Sequence, residues 1–183
     1  MSYFNSREIA AIALFSTLLG VTNGIFAPVI FQATGLPILC DMVGFAILIV
    51  TVWWIGKLGA VTMVGFTATI VNLMLNPAGV QFLGFTAASI VFDVATKLTG
   101  YDRGLKKPLF FKISMFSISV LSGSVAGLII GTFFMASSAL VRWGGVSGWI
   151  GLHAAGGVVG GLIGVILVTG LTARGVRSLN VRK

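Results

Sequence analysis

The sequence predicts an all-α integral membrane protein with six transmembrane helices in one domain. The 183 residues are 57% hydrophobic and 9% charged, with a mean hydropathy of +1.07, a composition that water-soluble domains do not have. The charges are confined to a few places and leave five long uncharged runs, over 9–40, 42–56, 58–92, 113–141 and 143–173. A helix of about 20 apolar residues spans the hydrocarbon core of a bilayer, and these runs lack the alternation of a membrane β-barrel.

Glycine, proline and aromatic residues bound the first two predicted helices. Helix 1 is predicted over 7–26, because Ala27-Pro28 interrupts the first run and 33–37 is typical of a loop. Helix 2 is predicted over 37–56, since Pro37 suits a first helical turn. Its end at Trp53-Trp54, followed by Lys57, is typical of a membrane interface.

The run 58–92 is too long for one membrane span. Asn76-Pro77-Ala78-Gly79 is a turn signal inside it, so helix 3 is predicted over 58–75 and helix 4 over 80–98. A charged loop follows over 99–108. Helix 5 is predicted over 109–135 and helix 6 over 146–173, before a short basic tail.

The distribution of the twelve Lys and Arg residues predicts the orientation. With both termini on the cytoplasmic side, eleven lie in inner segments and only Arg142 lies in an outer loop, as the positive-inside rule requires. A single helix over 58–92 would place the five basic residues between Lys97 and Lys112 outside. The sequence therefore predicts a multi-pass plasma-membrane protein with both termini cytoplasmic. The net charge of +8 needs no nucleic-acid partner.

Small residues four apart lie on one helix face and allow helices to pack closely in a bilayer. Predicted helices 5 and 6 carry two such series, for which we expect internal packing: Ser119, Gly123, Gly127 and Gly131, and Gly156, Gly160 and Gly164. Predicted helix 1 carries a third set, which could pack internally or dock to another membrane protein: Ala13, Ser16, Thr17 and Gly20.

Polar side chains converge in the predicted outer half of the membrane. Five of them come from five different helices: Asn23, Asp41, Asn72, Gln81 and His153. Polar groups at membrane depth are costly and usually face protein or a cavity, so this convergence predicts a ligand site. Trp149 lies four residues before His153 on the same helix face. An indole beside an imidazole suits a flat heteroaromatic ligand.

Structural roles remain open for the same side chains, which can bridge helices or bond to backbone carbonyls. Asp41 is the only acid in the predicted outer half. It can pair with a ligand cation, or it can cap helix 2 and attract Arg142. Arg142 itself is either a loop cation or part of a lid.

Asp93 lies deeper, about 20 Å below the start of predicted helix 4. Lys97 follows one turn later, and an i,i+4 ion pair near the inner interface is most often structural. A ligand role is the alternative.

Motifs for catalysis are missing from the sequence. It has no phosphate-binding loop of the form G-x-x-x-x-G-K-[ST], no cluster with metal-ligand spacing and a single histidine. We therefore predict that the chain is not an enzyme, does not itself hydrolyse ATP, and holds neither a cofactor nor a metal.

The whole-chain pattern resembles the S components of energy-coupling factor (ECF) vitamin transporters. It looks most like the YkoE branch, which handles thiamine or its hydroxymethylpyrimidine part. Besides the six short helices, three segments carry the resemblance: Leu75-Asn76-Pro77-Ala78-Gly79, the junction Trp53–Gly59, and Phe92-Asp93 late in helix 4. The branch has an acid late in helix 4, which matches Asp93. Asn76, in the first segment, joins the predicted ligand residues.

The resemblance also implies a role and partners. An S component binds its vitamin from outside and docks through helix 1 to a transmembrane coupling subunit, which is bound to two cytoplasmic ABC ATPases. Family members often carry Ala-x-x-x-Ala on helix 1. This chain departs from that pattern, with Ala13-x-x-x-Thr17 and Ser16-x-x-x-Gly20.

Two other functions remain open. A stand-alone channel or facilitator needs a continuous polar path, to which the predicted inner half contributes only Asp93 and Lys97. A structural assembly subunit would use the glycine faces for partner contact.

Overall fold

The computed structural model describes residues 3–101 and 107–179, and nearly all of the described residues are helical. Helix makes up 84% of the structure, and the described residues form no strand. Parts of the predicted charged loop (102–106) and basic tail (180–183) lie outside the described residues. The elements in chain order are α1 (Ser6–Val21), a π-helical turn (Thr22–Phe26), α2 (Ala27–Thr34), α3 (Ile38–Ile55), α4 (Ala60–Leu75), α5 (Phe82–Thr99), α6 (Pro108–Phe133), α7 (Ser137–Arg142) and α8 (Gly145–Ala173).

Within residues 3–101 and 107–179, four helical segments are long and apolar enough to cross a membrane: Ser6–Thr34, Phe82–Thr99, Pro108–Phe133 and Gly145–Ala173. Two shorter helical segments are also apolar, Leu39–Ile55 and Ala60–Leu75. The chain is therefore an all-α membrane-embedded protein.

The first helix continues past the break predicted at Ala27-Pro28. A π-helical turn, Thr22–Phe26, joins α1 to α2, and the N–H of Ala27 donates to the carbonyl of Thr22, five residues back. In a regular α-helix, Pro28 would donate no hydrogen bond and its ring would press on the carbonyl four residues earlier. The wider turn relieves that conflict, so the helix ends only at Gly35, whose φ of 72° is left-handed.

A ring of six helices forms the bundle. Around the ring, each helix packs against the next in the order α1, α4, α5, α6, α8 and α3, and α3 packs back against α1. The short helix α7, in the predicted loop before α8, packs against the start of α8. This order places the beginnings of α3, α5 and α8 at the same end of the bundle as the π-helical turn and the end of α4.

The glycine series of α6 and α8 are packing surfaces inside the bundle. A Cβ added at Gly127 of α6 would lie 2.5 Å from the carbonyl oxygen of Trp149, and one added at Gly160 of α8 would collide with the carbonyl oxygen of Asp41. Backbone atoms cannot move aside as a flexible side chain can. These glycines therefore set the close spacing of α8 against α6 and α3, which in turn positions Trp149 and Asp41.

Candidate functional site

A cavity of about 290 Å³ lies at the end of the bundle that carries the Asn76-Pro77 turn. We call it the polar cavity. The π-helical turn, α2, the beginnings of α3, α5 and α8, and the end of α4 all contribute to its wall. Six of the eight predicted ligand residues line it: Asn23, Asn72, Asn76, Gln81, Trp149 and His153.

His153 is held in place by Asp41, which lies behind it and does not line the cavity. The Nδ1 atom of His153 lies 2.9 Å from Oδ2 and 3.1 Å from Oδ1 of Asp41. Both side chains are buried, with 2% and 0% of their surface exposed. Because Nδ1 faces the carboxylate, the ring orientation is fixed. Its other nitrogen, Nε2, is buried and has no hydrogen-bond partner among the described residues.

Trp149 forms an aromatic wall beside this histidine. Its ring centre lies 5.7 Å from that of His153 and 6.3 Å from that of Phe31 on α2. Only 1% of its surface is exposed, and its indole N–H has no partner among the described residues. The wall therefore offers a flat apolar face and one hydrogen-bond donor.

Asn23 occupies the π-helical turn, an irregularity that is frequent at functional sites. Its Nδ2 donates to the carbonyl of Leu19 at 3.0 Å, while Oδ1 is buried without a partner among the described residues. Nδ2 of Asn72 lies 3.4 Å from the carbonyl oxygen of Gly79 and fastens the Asn76-Pro77 turn to α4.

Three buried polar atoms without described partners thus belong to residues lining one cavity: Asn23 Oδ1, Trp149 Nε1 and His153 Nε2. Buried polar atoms in native proteins are nearly always hydrogen-bonded, and leaving one unpaired costs about 1–3 kcal/mol. Their presence around one cavity makes it the candidate ligand site.

The continued first helix adds residues that the sequence analysis missed. Pro28, Phe31 and Gln32 of α2 line the polar cavity, as does Cys40 of α3. The sequence feature that could have indicated them is the absence of charged residues throughout 9–40, because such a run is compatible with a helix that continues beyond Pro28.

Arg142 and Trp143 lie beside the loop that joins α2 to α3. The Arg142 guanidinium is 5.7 Å from the Trp143 ring centre, and a Cβ added at Gly35 would lie 3.5 Å from that guanidinium. The predicted attraction between Asp41 and Arg142 is not formed, because the Asp41 carboxylate contacts His153 instead.

Asp93 does not line the polar cavity, so the structure does not bring it together with the six predicted ligand residues found there. Its Oδ2 accepts hydrogen bonds from the backbone N–H of Gly59 at 2.8 Å and from the N–H and hydroxyl of Thr62 at 3.0 and 2.8 Å. Asp93 therefore caps the beginning of α4, where free N–H groups and the helix dipole favour a carboxylate. The predicted ion pair with Lys97 is absent from the described residues.

The second oxygen of Asp93 accepts a hydrogen bond from the Tyr101 hydroxyl. Burial, reinforced by this bond and by the charge of Asp93, raises the pKa of Tyr101 above its usual range. Tyr101 therefore stays protonated and remains a donor to Asp93 throughout the neutral pH range.

The four predicted docking residues of α1 divide into two pairs. Ser16 and Gly20 are buried, and a Cβ added at Gly20 would lie 2.7 Å from both the Ala68 carbonyl oxygen and Cβ of Val71. This pair packs against α4 and cannot contact a partner. Ala13 and Thr17 are exposed on the other side of the helix.

Comparisons with models of protein families, with curated proteins and with solved structures find no match for this chain. Within the described residues, no group of three or more His, Cys, Asp or Glu side chains is arranged to hold a metal ion. The site is therefore defined by the polar cavity, with its aromatic wall and three buried polar atoms that have no partner in the described part of the chain.

Proposed function

We propose that this chain is the substrate-binding S component of an ECF-type importer, and that the polar cavity binds a vitamin precursor or vitamin with an aminopyrimidine ring, hydroxymethylpyrimidine or thiamine. The observation that carries this proposal is that three residues lining one cavity, one of them the indole wall, each have a buried polar atom without a partner among the described residues.

An aminopyrimidine complements these three atoms. Asn23 Oδ1 is an acceptor, and so is Nε2 of a neutral His153 whose Nδ1–H donates to Asp41. The Trp149 N–H is a donor. An exocyclic amine supplies N–H groups to the two acceptors, and a ring nitrogen accepts from the indole N–H at the edge of the Trp149 ring.

The size and charge of the cavity favour the smaller ligand. Ligand pockets range from about 300 to 1,000 Å³, and the polar cavity, at about 290 Å³, is at the small end. The described residues that line it include no acidic side chain. The cationic thiazolium ring of thiamine would have only aromatic faces as partners, so hydroxymethylpyrimidine is the better fit.

The proposed topology has six spans with both termini in the cytoplasm. It is supported by the basic residues, of which eleven of twelve then lie inside. α3 and α4 have 18 and 16 residues, and 16 residues extend about 24 Å against a core of about 30 Å. Local thinning of the bilayer and the flanking Lys57 accommodate such short spans.

The partners follow from the chain's lack of an ATP-binding loop. Energy for import would come from two ABC ATPases through a transmembrane coupling subunit. The exposed pair Ala13 and Thr17 on α1 offers small side chains, against which a partner helix can approach closely. This pair forms the proposed docking surface.

Purification from the native membrane in a mild detergent tests the proposal. We expect a coupling subunit and two ABC-type ATPases to copurify with the chain, and uptake of hydroxymethylpyrimidine into liposomes to require all of them with ATP. Uptake by the purified chain alone would instead support a facilitator. Copurification with unrelated proteins and no ligand binding would support an assembly subunit.

A further inference from the structure

A second cavity, of about 500 Å³, lies at the opposite end of the bundle, where α3 ends, α6 begins and α8 ends. It shares no lining residue with the polar cavity. We call it the basic cavity, because two of its lining residues are Lys112 of α6 and Arg177 beyond α8.

Apolar side chains form most of the wall of the basic cavity. Trp53, Phe111 and Val168 are buried, and Val176 is partly buried beside them. Such a wall disfavours a fully hydrated ion and favours hydrocarbon.

The two cations have no counterion within the described residues. The described ion pairs are Lys57 with Glu8 and His153 with Asp41, and no described residue that lines the basic cavity is acidic. Ser178, which is buried in the wall, adds a hydroxyl. The cavity thus combines donors and positive charge with an apolar wall.

We propose that the basic cavity binds one acidic phospholipid, with its phosphate between Lys112 and Arg177 and the upper part of an acyl chain against Trp53 and Phe111. Basic pockets between transmembrane helices bind acidic headgroups in this way. The apolar wall distinguishes a lipid from a soluble phosphate compound, which would leave that wall exposed to water. The proposal does not depend on the ligand of the polar cavity.

Native mass spectrometry of the full chain, released from nanodiscs of equal phosphatidylglycerol and phosphatidylcholine, tests the proposal. We expect one phosphatidylglycerol to be retained in clear preference to phosphatidylcholine. Glycerol 1-phosphate, which carries a phosphate group but no acyl chains, should not displace it. Displacement by glycerol 1-phosphate at equal concentration would show that the site takes a soluble phosphate and would overturn the lipid proposal.

Two pairs of variants separate the cavity from general surface charge. Lys112→Gln with Arg177→Gln should lower phosphatidylglycerol retention roughly thirtyfold, because each basic residue near an acidic headgroup contributes about 1 kcal/mol and every 1.4 kcal/mol is about a factor of ten. The matched control, Arg7→Gln with Lys97→Gln, removes the same charge from exposed residues outside the cavity and should retain the lipid. Equal losses in both double variants would overturn the proposal.

The second pair fills the cavity without changing its charge. Ala173→Trp places a large side chain in the wall of the basic cavity and should also reduce retention. Leu167→Trp, on the exposed surface of the same helix, is its control and should have no effect. Retention that survives both Ala173→Trp and the Lys112→Gln/Arg177→Gln double variant would place the lipid elsewhere and overturn the proposal.

Discussion

The Asp41 carboxylate lies 2.9 Å from Nδ1 of His153 across the interface between α3 and α8. Gly156 and Gly160 make this contact possible, because a Cβ at either position would collide with Asp41. The pair is buried, and its geometry leaves Nε2 of His153 unpaired in the wall of the polar cavity. The small residues of α8 therefore allow Asp41 to approach His153, and this contact orients the His153 ring at the polar cavity.

Substitution of Asp41 should weaken both the bundle and ligand binding. In Asp41→Ala, Nδ1 of His153 is left unpaired, at a cost of about 1–3 kcal/mol in the free energy of unfolding, and affinity for the aminopyrimidine should fall roughly tenfold or more as the ring loses its orientation. In Asp41→Asn, the amide oxygen still accepts from Nδ1–H, so both losses should be smaller. Thermal unfolding in detergent and ligand titration measure them. Equal effects of Ala and Asn would contradict the orienting role.

The glycine face of α8 should tolerate no added methyl group where it meets α3. Gly160→Ala forces a Cβ against the carbonyl oxygen of Asp41, and overpacking of this kind costs about 1–3 kcal/mol. Gly170→Ala is a matched control on the same helix, because a Cβ there meets nothing within 4 Å. We expect a lower melting temperature for the first variant only. A normal melting temperature for Gly160→Ala would show that α3 and α8 are not so closely packed.

Asp93 should matter for stability and not for ligand affinity. Asp93→Ala removes the cap of α4 and leaves the Tyr101 hydroxyl without its acceptor. Together these losses should lower the free energy of unfolding by about 2 kcal/mol or more. Lys97→Ala should leave stability unchanged, since Lys97 forms no described ion pair with Asp93. Folded Asp93→Ala protein should bind ligand normally. A variant of normal stability with no ligand binding would restore the ligand role to Asp93.

The exposed pair on α1 should affect partner docking alone. Ala13→Trp or Thr17→Trp adds a bulky side chain to an exposed face, so the isolated chain should keep its stability and ligand affinity but lose copurification of the coupling subunit. Ile166→Trp, at an exposed position of α8, is the control and should copurify normally. Full copurification of both α1 variants would exclude this face as the docking surface.

The positions of most helices could be predicted from the sequence. Uncharged runs, basic flanks and the Asn76-Pro77 turn placed α3, α4, α5, α6 and α8 within two residues of their observed bounds. The first helix could not be predicted in the same way. Ala27-Pro28 is the same signal whether a helix ends there or passes through a π-helical turn, and only the hydrogen bond from Ala27 to Thr22 distinguishes the two.

The sequence predicts at which end of the bundle the candidate site lies, but not the contacts between its residues. Alternating spans bring polar residues from several helices to the same end, which is how six predicted residues come to line one cavity. The partners of Asp93 could not be predicted, because Gly59 and Thr62 lie 34 and 31 residues away on another helix. The contact between Asp41 and His153, 112 residues apart, likewise depends on helix packing.

Titration of the purified chain with hydroxymethylpyrimidine and thiamine, followed by tryptophan fluorescence, tests the central claim most directly. Trp149 lines the polar cavity, whereas Trp53 and Trp54 lie at the opposite end of the bundle. We expect saturable quenching at micromolar ligand, stronger for hydroxymethylpyrimidine, that is lost in Trp149→Phe and kept in both Trp143→Phe and Trp54→Phe. No quenching by either ligand, with the protein folded, would contradict the account, as would quenching that persists unchanged in Trp149→Phe.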